Sequence, residues 1–305
     1  MKRFFIGSAV ILAFLASILF YAARVPPMPA RDAMPVPNGY DDFLAAAAAV
    51  RGELPRGGKA TLDELAAYTA TNQPSLERLR KGLTLSSLVP VRHQTNSGAY
   101  LDDLAGMKRL AILVAADAET ARQRSEWDHL VLASTQGMDF ALRLARGGVM
   151  IDQMVATAAE AITRAPLEKS LTDIPATAAR RAATSLLELD AKRESFQRIR
   201  LYEEDFARRG SSWTMRIAWQ LVLRRKTQAV FDKTESKITT ATLGTRNLIL
   251  DLAARAYTLD HGQPPASPSD LVPNYLPQVP TDPSTGKPLK SFNAASTTTK
   301  VPQGG

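Results

Sequence analysis

Residues 104–145 read LAGMKRLAILVAADAETARQRSEWDHLVLASTQGMDFALRLA. Leu104, Met107, Ala111, Val114, Ala115 and Ala118 recur at i, i+3, i+7, i+10, i+11 and i+14, the spacing of one face of an α-helix. Trp127, Leu130, Val131, Ser134, Met138, Ala141, Leu142 and Ala145 repeat the pattern, and Gly147-Gly148 ends the run. Two amphipathic helices joined by a short polar turn make an antiparallel hairpin, so the chain reads as mainly α.

The pattern continues on both sides. Downstream, Ile151, Met154, Val155, Ala158 and Ile162 form a stripe that stops near Pro166. Asp173 and Pro175 open a further helix with Ala179, Ala182, Ala183 and Leu186 on one side, and Phe196, Ile199, Tyr202 and Phe206 follow. Gly210 breaks the chain before a segment holding Trp213, Met215, Ala218, Trp219 and Val222. Upstream, Asn38 caps a helix with Asp41 and Asp42 in its first turn. Thr61 and Glu64 stand at capping-box spacing, and Leu76, Leu79 and Leu83 mark a helix from Pro74. A last helix is expected from about Thr240 to Asp260, where Leu243, Asn247, Leu250, Ala254 and Tyr257 share a face and Gly262 is the stop. Ser267-Pro268-Ser269-Asp270 reads as one more small helix start.

Phe4 to Ala23, FFIGSAVILAFLASILFYAA, carries no charge and no proline. As a helix it would be roughly 30 Å long, the thickness of a bilayer core. It follows Lys2 and Arg3 and lacks a clean small-residue cleavage site. The expectation is a single-pass signal anchor over residues 1–24 of a bacterial inner-membrane protein. Lys2 and Arg3 outweigh Arg24 and Arg31, which places the N-terminus in the cytoplasm and the body in the periplasm. Five prolines within residues 25–37 make a stiff spacer. A helical body is expected over 38–239, a helix plus proline-rich segment over 240–290 and a disordered tail over 291–305.

The proline-rich end carries a further signal. Tyr257, Asp260-His261-Gly262, Pro264, Leu271, Pro273, Tyr275-Leu276, Pro280, Asp282-Pro283 and Gly286-Lys287-Pro288-Leu289 fall in an order that resembles part of the major pseudopilin of type II secretion systems. The resemblance covers residues 240–290 and implies a link to a secretion or pilus-like assembly. Two of that family's features are absent. Gly7 is followed by Ser8-Ala9-Val10-Ile11-Leu12 without the processing-site glutamate, and Ser296-Thr297-Thr298-Thr299 stands in place of the calcium-binding end. Calcium binding and fibre assembly are therefore not carried over. The whole layout also resembles single-pass, helix-rich bacterial envelope proteins.

The chain of 305 residues has no cysteine, which excludes a disulfide framework and thiolate metal sites. His93, His129 and His261 have no ligand spacing, and neither an HExxH nor a GxSxG motif occurs. Residues 52–61, GELPRGGKAT, miss the phosphate-loop spacing by one glycine. Neither a cofactor nor a metal is expected, and the chain reads as an interaction protein rather than an enzyme. The alternative enzyme reading needs carboxylates from Asp41/Asp42, Asp102/Asp103 or Glu203-Glu204-Asp205 to converge in a pocket. The structural reading puts the first two pairs at helix starts and pairs Glu204 with Arg200 and Arg208.

Net charge is +8, and residues 178–233 hold thirteen Lys/Arg against seven Asp/Glu. That region could meet anionic lipid or another polyanion, or be a solvated helical surface; nucleic acid is disfavoured outside the cytoplasm. The candidate interaction residues are Arg200, Arg208, Arg209, Trp213, Arg216, Trp219, Tyr257 and Tyr275, facing the membrane or a protein partner.

Overall fold

The structure, a computed structural model, describes residues 32–54, 60–90, 97–209 and 224–292, together with Phe14, Ala16, Ser17 and Phe20. Among these residues there are nine α-helices and no strand, only an isolated bridge between Thr281 and Pro288. The helices are α1 (Gly39–Ala49), α2 (Leu62–Thr71), α3 (Gln73–Leu83), α4 (Ser97–Gln123), α5 (Trp127–Arg143), α6 (Met150–Lys169), α7 (Ala176–Asp190), α8 (Phe196–Arg209) and α9 (Arg224–His261). A short 3-10 turn, Pro268–Leu271, follows. The mainly α reading holds.

Local signals explain many of the starts. The Asn38 side chain accepts the Tyr40 N–H at 3.1 Å. Thr61 and Glu64 form the full capping box that opens α2. Ser267 and Asp270 do the same for the 3-10 turn.

Helix α4 is the axis of the body. It packs against α1, α2, α3, α5 and α6. Leu104, Leu110, Leu113, Val114, Ala118 and Ala121 are all buried, so most of its circumference is covered. At one end Met107, Leu110 and Val114 share a core with Tyr40 and Phe43 of α1, Leu76 and Leu79 of α3, and Phe140 of α5. Phe43 meets Phe140 edge to face at 5.1 Å. At the other end Ala118 and Ala121 join α7, α9 and the C-terminal segment in a second core.

Helices α4, α5 and α6 meet closely at Gly137 of α5. A Cβ there would stand 2.6 Å from the Thr163 Cβ of α6 and 2.9 Å from Val114 Cγ1 of α4. The missing side chain is what lets the three backbones converge.

Helix α6 departs from the expected stripe. Its buried face is Asp152, Ala156, Ala159, Glu160, Thr163, Pro166 and Leu167. Ile151 is exposed, and Met154, Val155, Ala158 and Ile162 are only half-buried. Apolar periodicity misplaced this face because three of its inward positions are polar. Pro166 does not stop the helix, which runs on to Lys169. In the last turn it removes one backbone hydrogen bond, and its ring is buried.

The inward polar residues form a network. The Arg193 guanidinium donates to both Glu160 oxygens at 2.9 and 2.7 Å and to Asp190 at 3.0 Å. The Thr245 hydroxyl donates to Glu160 at 2.5 Å. Arg246 donates to Asp190 at 2.7 Å and to the Thr281 carbonyl at 2.8 Å. Although burial opposes its charge, Arg193 is held above the usual arginine range by its bonds to Glu160 and Asp190.

Helix α9 begins at Arg224, well before the expected start at Thr240, and runs unbroken to His261. Gly262 then takes a positive φ of 73° and turns the chain. The segment beyond it docks on the body. Leu271 is 0% exposed and Leu276 1%, both in the core with α7 and α9, and Leu289 packs against that core. Asp282 donates its N–H to Lys287 at 2.8 Å, and Leu289 donates to Pro280 at 2.9 Å, closing the last loop. Phe292, within the expected tail from 291, packs on this core; residues 293–305 lie outside the described residues.

No helix among the described residues is long and apolar enough to cross a membrane. Of the expected span 4–23, only Phe14, Ala16, Ser17 and Phe20 are described, and they are helical and exposed. The rest of that span and most of the proline-rich spacer lie outside the described residues.

Gly137→Ala is expected to lower stability by about 1–3 kcal/mol through overpacking at the meeting of α4, α5 and α6. Urea denaturation followed by circular dichroism measures it, and an unchanged midpoint would show that the three helices can separate at no cost.

Candidate functional site

Helices α2 and α6 both pack on α4 and leave a groove between them. Its floor is an α4 face carrying Arg109, Ile112, Ala115, Ala116, Glu119 and Gln123. Leu65 and Tyr68 of α2 form one wall; Ile162, Ala165, Pro166 and Lys169 of α6 form the other. Gly52, Glu53, Leu54 and Ala60 complete the lining, and the cavity measures about 490 Å³.

The two ends of the groove differ electrically. At one end Glu119 accepts from Arg122 at 2.7 Å and Gln123 at 3.0 Å, with Lys169 Nζ at 3.6 Å. Burial works to raise the Glu119 pKa, but these bonds prevail and hold it below the usual carboxylate range. Near the other end Arg109 and Glu53 flank Tyr68. Burial pushes the Tyr68 hydroxyl up, Arg109 draws it down and Glu53 raises it further.

A second polar centre is at the start of α6. Tyr100 donates to Asp152 at 2.5 Å, and the Val149 N–H donates to its other oxygen at 2.7 Å. Glu203 accepts the Met150 N–H at 2.8 Å, and Glu194 accepts the Gly147 N–H at 3.1 Å. Three carboxylates thus satisfy backbone donors at or just before one helix N-terminus, where the helix dipole favours negative charge. Burial raises all three pKa values, that of Asp152 to about 6.

Of the acidic residues singled out in the sequence, Glu203 belongs to this centre, and Asp41 and Asp103 act with Asp152 on the neighbouring Tyr40 hydroxyl, which burial first of all pushes up. Asp42 is bonded to Arg78 and Lys81, both at 3.3 Å. Glu204 pairs with Arg200 at 3.0 Å, as its spacing predicts, and Asp205 pairs with Arg209 at 2.8 Å. No group of three metal-ligating side chains gathers among the described residues.

The candidate interaction residues separate into different places. Arg200 also reaches Gln228 at 3.1 Å and lies 5.0 Å above the Phe231 ring. Tyr257 and Tyr275 do come together, 5.4 Å apart, with His261 4.2 Å from Tyr257. Arg180 covers the Tyr275 ring at 4.7 Å, and the Tyr275 hydroxyl donates to Asp260 at 2.7 Å. This cluster fastens the C-terminal segment to α9 and α7. Trp213, Arg216, Trp219 and the Arg208 side chain lie outside the described residues.

Sequence reasoning missed the groove. Ile112 falls off the main α4 stripe, an apolar residue without a place in the pattern, and that was the available signal. His129 of α5 is exposed and contacts the buried Asp117 at 3.0 Å.

Compared with known protein families, curated proteins and solved structures, the chain matches none.

Asp152 has a folded-state pKa of about 6, above the ordinary 3.8. The folded state therefore holds this proton more tightly, and the site contributes most to stability below pH 4 and loses that contribution as pH rises through 6. Asp152→Asn removes the titration but leaves one of the two donors facing an amide NH₂. The wild type's advantage over this variant should shrink between pH 4 and 7 in urea titrations; a constant difference would contradict the assignment.

Proposed function

We propose that the chain is a single-pass protein of the bacterial inner membrane, held by residues 4–23, with its body in the periplasm. The body acts as a binding module rather than a catalyst. The observation that carries this reading is the groove on α4. Its volume falls within the ~300–1,000 Å³ of ordinary ligand clefts, and its walls are mostly apolar with a few polar groups at the ends. By contrast, Asp152, Glu203 and Glu194 are engaged with backbone N–H groups and Tyr100, and Glu160 and Asp190 with arginines, which weighs against an acidic catalytic site.

The link to a secretion or pilus-like assembly rests on the resemblance of residues 240–290. In the body that segment is part of the fold, with Leu271 and Leu276 in the core. The polyanion reading of residues 178–233 is weaker, because Arg180, Arg193, Arg198, Arg200 and Arg209 all face carboxylates.

Expression in a Gram-negative host tests the tether. The chain is expected to stay with the membrane pellet through alkaline carbonate extraction, and added protease should cut the body only after the outer membrane is opened. A mature soluble chain lacking residues 1–23 would overturn the anchor. In-cell crosslinking followed by purification should recover secretion-apparatus proteins if that association is real, and their absence would remove it.

A further inference from the structure

We infer that the groove between α2, α4 and α6 holds a single-chain amphiphile with one negative charge, its tail along α4 and its anionic head at Arg109 and Tyr68. A long-chain fatty acid is the simplest such molecule. The inference rests on the groove being a binding site and adds the class of ligand.

Shape comes first. Arg109 and Gln123 both line the groove from the same helix. At ~1.5 Å per residue their spacing corresponds to a slot roughly 21 Å long. Ala115, Ala116 and Ala165 keep it open, and Ile112, Ile162 and Pro166 make its surface apolar. An extended peptide laid in such a slot would need partners for its backbone N–H and C=O groups. These side chains offer none, whereas an alkyl chain asks for none and gains from leaving water.

Charge then sets the direction. At the Gln123 end the carboxylate of Glu119 is already met by Arg122, Gln123 and Lys169. Near the other end the Arg109 guanidinium makes no ion pair or hydrogen bond with a described residue, and neither does the Tyr68 hydroxyl. Arg109 influences that hydroxyl more than Glu53 does. A carboxylate placed between guanidinium and hydroxyl gains charge-assisted hydrogen bonds. Glu53, close by, repels a second negative charge and so favours a monoanion over a phosphate dianion.

The test uses the full chain in lipid nanodiscs and a palmitate analogue with a photoreactive diazirine in its tail, with adducts mapped by peptide mass spectrometry. Adducts are expected on α4 within residues 112–119 and on α6 within 162–169, and excess palmitate should suppress them. Arg109→Gln should lower these adducts about tenfold, the loss of one charge-assisted contact, while adducts on residues 4–23 stay unchanged. Ala165→Trp should remove the α4 and α6 adducts by filling the slot. Arg109 is exposed and Ala165 only half-buried, and circular dichroism verifies that both variants fold. Adducts confined to residues 4–23 would overturn the ligand and the groove as a binding site together. Groove adducts that form equally with a hexadecylamine analogue, or that ignore Arg109→Gln, would overturn the anionic head and leave the groove as a binding site standing.

Discussion

Glu160 lies on α6 with 3% of its surface exposed, and its charge has to be met inside the protein. The Arg193 guanidinium meets it with two parallel N–H bonds, and the Thr245 hydroxyl adds a third. Arg193 is shared with Asp190, Asp190 with Arg246, and Arg246 with the Thr281 carbonyl. One buried carboxylate thereby sets where the end of α7, the middle of α9 and the C-terminal loop stand relative to α6. Such a network adds little net stability, since desolvation offsets most of the attraction. Its effect is on geometry: an arrangement that shifted α9 along α6 would leave a charge buried without its partner.

The same division of labour runs through the body. Polar groups hold elements in register: buried Asp152 and half-buried Glu203 at the start of α6, buried Asp42 between α1 and α3, and at the surface Asp260 between Tyr275 and Arg180. They are occupied by structural partners. Along α4, by contrast, α2 and α6 flank a strip of apolar surface that ends beside a guanidinium and a phenol.

Helix positions and caps were legible in advance because they depend on near neighbours. Asn38, the Thr61–Glu64 box, the Ser267–Asp270 box and the Gly262 stop all act within one turn of chain. The face that α6 buries was not legible. Its apolar residues pointed to Ile151, Met154, Val155, Ala158 and Ile162, whereas Asp152, Glu160 and Thr163 are the ones turned inward. A polar residue is read as outward unless its partner is known, and these partners are Tyr100, Arg193 and the α5 surface around Gly137. The groove escaped for a related reason: Ile112, Tyr68 and Ile162 come from three helices that no local pattern connects.

The amino-acid order alone determined that this chain is helical, where most helices begin and end, and that it carries neither a cysteine nor an HExxH motif. Hydrogen bonds to adjacent backbone and periodic apolar spacing act over a few residues and can be read along a line. Tertiary structure decided which polar residues go inside, that the proline-rich end docks on α9 and α7, and that α4 is left open along one strip. Those outcomes depend on charge neutralisation and close packing between residues some fifty to ninety positions apart, such as Tyr100 with Asp152 and Glu160 with Thr245. Only the folded chain brings such partners within bonding distance.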